Sequence, residues 1–320
     1  KRLEKKIYVN QLKLKTRLVL PPMATQRAER GMVNDGIISY YRQYALNSGI
    51  GLIITEHSYV AEQGKADPNQ ISFALDAVIP LQRKLTDVVH EADPTLKIFA
   101  QISHAGARTS TKITGQELVS ASVMEGKEGM SRALTVLEID SVRNSFVEAA
   151  RRVQSAGYDG VEIHSAHGYL LNQFYSPLLN QRTDLYGAQT IENRVRLITE
   201  IIRTVRAAVG SAFPIAVRLG GCDYQDGGST IADAVEASQR LEEAGVDLID
   251  LSGGVCSYRR DGCSEPGYFS DMSSAVKASV NVPVLLTGGV TMRESAEQLL
   301  RQGKADLIGV GRALLRDPKW

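Results

Sequence analysis

Cysteine is scarce in this chain. Three occur in 320 residues, Cys222, Cys256 and Cys263, with no Cys-x-x-Cys pair and no even-numbered framework. That excludes a disulfide-stapled scaffold and a dithiol redox motif, and makes a reducing, cytoplasmic compartment the expectation. Net charge is nearly absent too: 37 Lys and Arg face 36 Asp and Glu, leaving a formal +1. No footprint for nucleic acid or an anionic membrane surface follows from that balance. No apolar run approaches the ~20 residues of a membrane-spanning helix, and no signal-peptide pattern opens the chain. The chain opens on Lys1 rather than Met and stops at Trp320, so trimming at both ends stays open. No repeat, linker or low-complexity segment divides it, which predicts a single domain over 1–320. A dinucleotide-binding Gly-x-Gly-x-x-Gly is missing. No lysine stands at an obvious strand end, which argues against a Schiff-base aldolase.

What is present is alternation. Apolar runs at 17–22, 51–56, 97–103, 160–164, 214–220, 247–252, 283–287 and 306–310 read as strands. Helical patterns near 36–48, 76–92, 140–156, 190–209, 230–244, 271–280, 291–302 and 312–316 separate them. Eight strand–helix pairs predict a closed (β/α)8 barrel, with a doubly wound sheet as the competing arrangement. Ile7-Tyr8-Val9 and Leu12-x-Leu14, around Asn10-Gln11, predict a small hairpin plugging the barrel bottom. Long loops after strands three, four and six are candidate lids, and Thr111–Ser122 is expected to form a hairpin over the mouth.

Strand parity sorts the side chains. Ile98, Ala100 and Ile102 share one face, Phe99 and Gln101 the other; Ile215, Val217 and Leu219 oppose Ala216 and Arg218. Gln101, His164, Arg218 and Ser252 should therefore point inward at the carboxyl ends of their strands. Buried polar groups without partners cost roughly 1–3 kcal/mol each. Either they satisfy one another, or a polar ligand lies across the mouth, where barrel sites sit. Strands seven and eight end in Thr287-Gly288-Gly289 and Gly309-Val310-Gly311-Arg312. Glycines admit close backbone approach, exposed amides cradle phosphate, and Arg312 adds a forked cation, so this pair predicts a phosphorylated ligand.

The densest stretch is residues 157–194. Val161 and Ile163 alternate with Gly160, Glu162 and His164, and the strand ends in His164-Ser165-Ala166-His167-Gly168-Tyr169. Paired imidazoles can ligate a metal, but beside Glu162 no second carboxylate is placed to complete a set. They can equally aim two donors at one oxygen. His164-x-x-His167-x-Tyr169, the following Leu170-Leu171, Gln173-Phe174-x-Ser176-Pro177 and Asn180-x-Arg182-Thr183-Asp184-x-Tyr186-Gly187 resemble the Old Yellow Enzyme, or NADH:flavin oxidoreductase, family. Supporting motifs run from about Pro21 to Trp320.

The resemblance implies FMN as cofactor and NADH or NADPH as reductant. It implies hydride transfer from the flavin to the activated C=C bond of an α,β-unsaturated carbonyl. His164 and His167 would hold the carbonyl oxygen, His164 would also lie near the flavin, and Tyr169 would donate the proton. Pro22, Met23 and Ala24 would lie against the flavin edge. Many members have Thr or Cys where this chain has Ala24, so any polar contact there must come from backbone or Thr25. Gln101 would pair with the pyrimidine edge as donor and acceptor. Arg218 would face flavin N1 and O2, with a salt bridge to Asp250 or Glu162 as its structural alternative. Gly288, Gly289, Gly311 and Arg312 would hold the phosphate. His57 stands where the family has a small residue, and is expected to point to solvent, the alternative being a narrower pocket. His104 is expected to be structural, Arg259-Arg260 a solvated pair, and Tyr258 and Tyr268 pocket walls. A homo-oligomer is allowed. Competing readings are the barrel portion of an enzyme similar to 2,4-dienoyl-CoA reductase, with an iron–sulfur domain beyond the chain end, and a flavin-free phosphate-binding isomerase or aldolase.

Overall fold

In the computed structural model, which describes residues 1–126 and 128–320, eight parallel strands close on themselves. They are β1 (Leu18–Leu20), β2 (Leu52–Ile54), β3 (Lys97–Ser103), β4 (Gly160–Ser165), β5 (Ile215–Cys222), β6 (Leu248–Gly253), β7 (Val284–Thr287) and β8 (Leu307–Gly309). Each pairs with its sequence neighbours, and β8 returns to β1, so the sheet has no gap in the ring. This is the (β/α)8 barrel that the alternation predicts, and the doubly wound sheet is excluded. A helix follows each strand, from Asp35–Ala45 after β1 to Arg312–Arg316 after β8. The third of these starts at Val136, four residues before the apolar periodicity suggests. Thr135 and Glu138 form a reciprocal capping box that fixes the earlier start.

The interior has two storeys. The lower one is apolar: Val19, Leu52, Ile54, Phe99, Ala216, Leu248, Leu285 and Leu307 pack together at or near zero exposure. The hairpin Ile7–Val9/Leu12–Leu14 delivers Val9 and Leu14 into this cluster, so it plugs the amino end as expected. The upper storey is polar, and strand register builds it. Gln101 lies beside Glu162, His164 beside Arg218, and Arg218 beside Asp250. Gly220 pairs with Ser252, after which the β5–β6 register shifts.

Two excursions differ from expectation. Residues 111–122 form no hairpin. Thr111–Thr114 is one helical turn capped by Ser110, and Val119–Ser120 pairs in parallel with Arg132–Ala133. The antiparallel hairpin there is Glu125–Gly126/Gly129–Met130. Arg182, from the loop after β4, holds this excursion by donating to the carbonyls of Ala121 (3.1 Å) and Leu134 (2.5 Å). After β2, short strands Ser58–Tyr59 and Ile71–Ser72 extend the sheet beside β3, which no apolar run announced.

Candidate active site

At the carboxyl ends of the strands lies a cavity of about 580 Å³. Pro21, Pro22, Met23 and Ala24 from β1, Gln101 from β3, His164, His167 and Tyr169 from β4, Arg218 from β5 and Ser252 from β6 line it. Gly288, Gly289, Gly311 and Arg312 close its far side. The residues expected to converge from separate strands do converge.

Local backbone aims the three rings. His167 (φ +61°) and Gly168 (φ +75°) are consecutive left-handed residues, a sharp turn that swings Tyr169 back over the strand end. A non-glycine residue at such a φ carries strain, and the surroundings hold it. Gly168 N donates to Asn172 Oδ1 at 2.6 Å, and Gln173 Nε2 donates to the Gly168 carbonyl at 2.8 Å. Arg108 donates to the His167 carbonyl, and its guanidinium lies 5.3 Å from the Tyr169 ring centroid. Arg108 is a contributor that sequence reading missed; its only signal was its place shortly after the His104-Ala105-Gly106 strand end. The ring centroids of His164 stand 5.2 Å from His167 and 5.0 Å from Tyr169. His167 Nε2 shares a hydrogen bond of 2.7 Å with Ser252 Oγ.

Charge beneath the rings is crowded and dry. Glu162 and Asp250 are fully buried, and Arg218 Nε lies 3.6 Å from Asp250 Oδ2. Burial raises the Glu162 pKa well above the usual carboxylate range, and the neighbouring Asp250 charge adds to it. Burial also raises Asp250, with Arg218 opposing. The pair is therefore one in which Glu162 keeps its proton and Asp250 answers Arg218. Burial, helped by the Arg218 charge, holds both His164 and His167 neutral. Burial raises the Tyr169 phenol, with Arg108 opposing, so it too is protonated at neutral pH.

The polar storey is only half self-satisfied. Gln101 Nε2 donates to Glu162 Oε2 at 2.9 Å, so one N–H is committed, and the second N–H and the carbonyl oxygen remain for a ligand. Buried and without partners are His164 Nδ1, Arg218 Nε, Glu162 Oε1, both Asp250 oxygens and Thr287 Oγ1. Three of these atoms belong to cavity-lining residues, His164, Arg218 and Thr287, and a polar ring seated there would answer them. Gly288 has φ +136°, and a Cβ on it would stand 2.8 Å from the Tyr268 ring, so this turn requires glycine. The residues present thus fit FMN: polar groups for its ring and a glycine–arginine end for its phosphate. Ala24 offers no side-chain hydrogen bond.

Some expectations change. His57 does not point to solvent; it lines the cavity, its ring centroid 5.5 Å from Tyr169 and 6.4 Å from His164. Strict alternation from inward Ile54 would send Glu56 in and His57 out. Instead Tyr41 Oη (2.6 Å) and Thr25 Oγ1 (2.7 Å) hold the Glu56 carboxylate, the alternation slips, and His57 turns inward. His104 is structural, accepting from Gly106 N at Nδ1 (3.0 Å). Arg260 donates to the Tyr268 carbonyl and to Asp271, bracing the loop after β6. Tyr258 and Tyr268 are cavity walls. Among the described residues no three His, Cys, Asp or Glu gather as metal ligands, and no helix is long and apolar enough to cross a membrane.

Fold and rim together define a (β/α)8 barrel whose cavity, at the carboxyl ends of the strands, fits a flavin. The family model for the NADH:flavin oxidoreductase / NADH oxidase family matches residues 3–320, and the chain belongs to that family. It is 37% identical over 321 residues to an NADH oxidase of Thermoanaerobacter brockii, covering 98% of this chain and 49% of that protein. It therefore spans about half the length of that curated relative. Among solved structures, a 2-naphthoyl-CoA reductase complex superposes with a TM-score of 0.92 at 25% identity, over 99% of this chain and 51% of the other. An Old Yellow Enzyme homologue from Zymomonas mobilis superposes with a TM-score of 0.83 at 27% identity, over 99% and 90%.

Proposed function

We propose that this chain uses NADH or NADPH to reduce the activated C=C bond of α,β-unsaturated carbonyl compounds. One observation carries the reading: the neutral hydrogen-bonding rings of His167 and Tyr169 each stand about 5 Å from that of His164 at the mouth of a flavin-type cavity. FMN, when bound, supplies the hydride. Gln101 and Arg218 would face its ring, Pro22, Met23 and Ala24 its edge, and Gly288, Gly289, Gly311 and Arg312 its phosphate.

The protein's own part is to hold and polarise. Neutral His164 and His167 donate to the carbonyl oxygen, and each such donor is worth about 3 kcal/mol as negative charge grows there. Tyr169, kept protonated by burial, gives its proton to the α-carbon. The test is anaerobic and in two halves. Flavin-loaded protein, absorbing near about 450 nm, is bleached by each nicotinamide and then mixed with a panel of enones. Reoxidation by the enones supports the reading; a bleached protein that only oxygen reoxidises refutes it.

Half-length coverage of the NADH oxidase and of the 2-naphthoyl-CoA reductase favours a second reading. In it the barrel is the flavin portion of a longer reductase acting on an unsaturated acyl thioester, with an iron–sulfur domain beyond Trp320. Four further thiolates in a longer reading frame would support it.

A further inference from the structure

His57 lines the cavity beside the reacting groups, and the ene-reductase reading gives it no task. Its backbone is fixed. The preceding Glu56 is bonded to Tyr41 and Thr25, and the His57 carbonyl accepts from Gln70 Nε2 at 3.3 Å. Its ring is not: among the described residues, neither ring nitrogen makes a hydrogen bond. The ring borders Tyr169 and His164 in the cavity that Ala24 also lines. Among the described residues His164 has a ring contact with His57 and another with His167, and none joins His57 to His167. Burial drops the His57 pKa to about 4, so the ring is uncharged at neutral pH and carries one donor and one acceptor.

Resting on the ene-reductase reading, we propose that His57 forms a second polar subsite, binding an uncharged oxygen of the substrate remote from the carbonyl that His164 and His167 hold. The substrate class it selects is an unsaturated ring or chain with two uncharged oxygen functions, such as an ene-dione or hydroxy-enone. An uncharged imidazole suits a carbonyl or hydroxyl better than a carboxylate, which asks for a cation. Its bulk, where alanine would leave space, also bars substituents from that side of the pocket.

The test uses FMN-loaded protein and paired probes. 4-Hydroxybenzaldehyde and benzaldehyde differ by one oxygen, and their binding is followed by perturbation of the flavin spectrum. Cyclohex-2-ene-1,4-dione and cyclohex-2-enone are the matching alkenes for turnover. The wild type should favour the two-oxygen member of each pair. His57→Ala should weaken binding of 4-hydroxybenzaldehyde, and raise KM for the ene-dione, about tenfold, the worth of one neutral hydrogen bond. It should move the one-oxygen probes less than twofold and leave kcat alone. His57→Asn and His57→Gln restore a donor, and one of them should recover most of the loss. FMN affinity and midpoint potential should match the wild type. Equal losses on both members of a pair, no wild-type preference, or a weakened FMN affinity in His57→Ala would each overturn the subsite. If neither alkene is turned over while the aldehydes still discriminate, the ene-reductase reading falls and the subsite stands.

Discussion

Replacing Arg218 by methionine removes the one cation in a layer that also holds two buried carboxylates. The guanidinium is 6% exposed, Asp250 and Glu162 not at all, and the Arg218–Asp250 approach is 3.6 Å. Removing one partner of a buried pair costs about 3–5 kcal/mol, because the other charge is left in a dry site. Asp250 can escape by taking up a proton, and that makes the cost depend on pH. Its folded pKa is already raised by burial, with Arg218 opposing; without Arg218 it rises further. A carboxyl raised in the folded state contributes its stability fully below the unfolded pKa, about 4, and loses it as pH rises through the folded pKa. The variant's deficit should therefore be small near pH 5 and grow toward pH 8, by up to about 1.4 kcal/mol per pH unit. For a chain of this length the full deficit corresponds to roughly 5–7 °C in Tm. Thermal unfolding of flavin-free wild type and Arg218→Met, followed by circular dichroism at pH 5, 6.5 and 8, measures it. Adding Asp250→Asn to the variant should flatten the pH trend. A Tm loss equal at all three pH values, or largest at pH 5, would refute the assignment of charge in this layer.

Three further outcomes follow from the rim. Tyr169→Phe should slow enone reduction by about 10²–10⁴-fold in stopped flow, while bleaching of the flavin by NADH or NADPH proceeds at nearly the wild-type rate. Arg312→Ala should weaken FMN by roughly 10–100-fold in fluorescence titration and leave riboflavin, which has no phosphate, within about twofold. Gly288→Ala, with its Cβ driven to 2.8 Å from the Tyr268 ring at a left-handed backbone, should be purified with little flavin and a lowered Tm.

Much of this was readable before any coordinates. Eight apolar runs, each followed by a helical period, named the barrel, and parity put Gln101, His164, Arg218 and Ser252 on the inner face. Those inferences hold because register in a closed parallel sheet is periodic, and period survives in sequence. What periodicity could not reach lies where it ends. His57 turns inward because Tyr41 and Thr25 draw Glu56 away, a contact between residues 15 and 31 positions apart. The 104–135 excursion takes its path from Arg182 and from Gln173, which accepts from Ala107 N and Ser120 Oγ. Much of the motif that carried the resemblance works in this way. Asn172, Gln173, Arg182 and Arg194 brace loops rather than face the cavity, and Arg194 donates to the Tyr175 carbonyl at 2.7 Å.

The stacking of a greasy floor under a charged ceiling divides the molecule's tolerance for change along its axis. Swaps among Val19, Leu52, Leu248 or Leu307 alter how hard the ring is to melt, and they leave the reaction's geometry alone. Exchanges among the residues above them redirect what is bound and how it reacts, and they cost the fold where a buried charge loses its partner or a strained turn loses its glycine. A lineage built this way can try new substrates without first having to learn how to fold again.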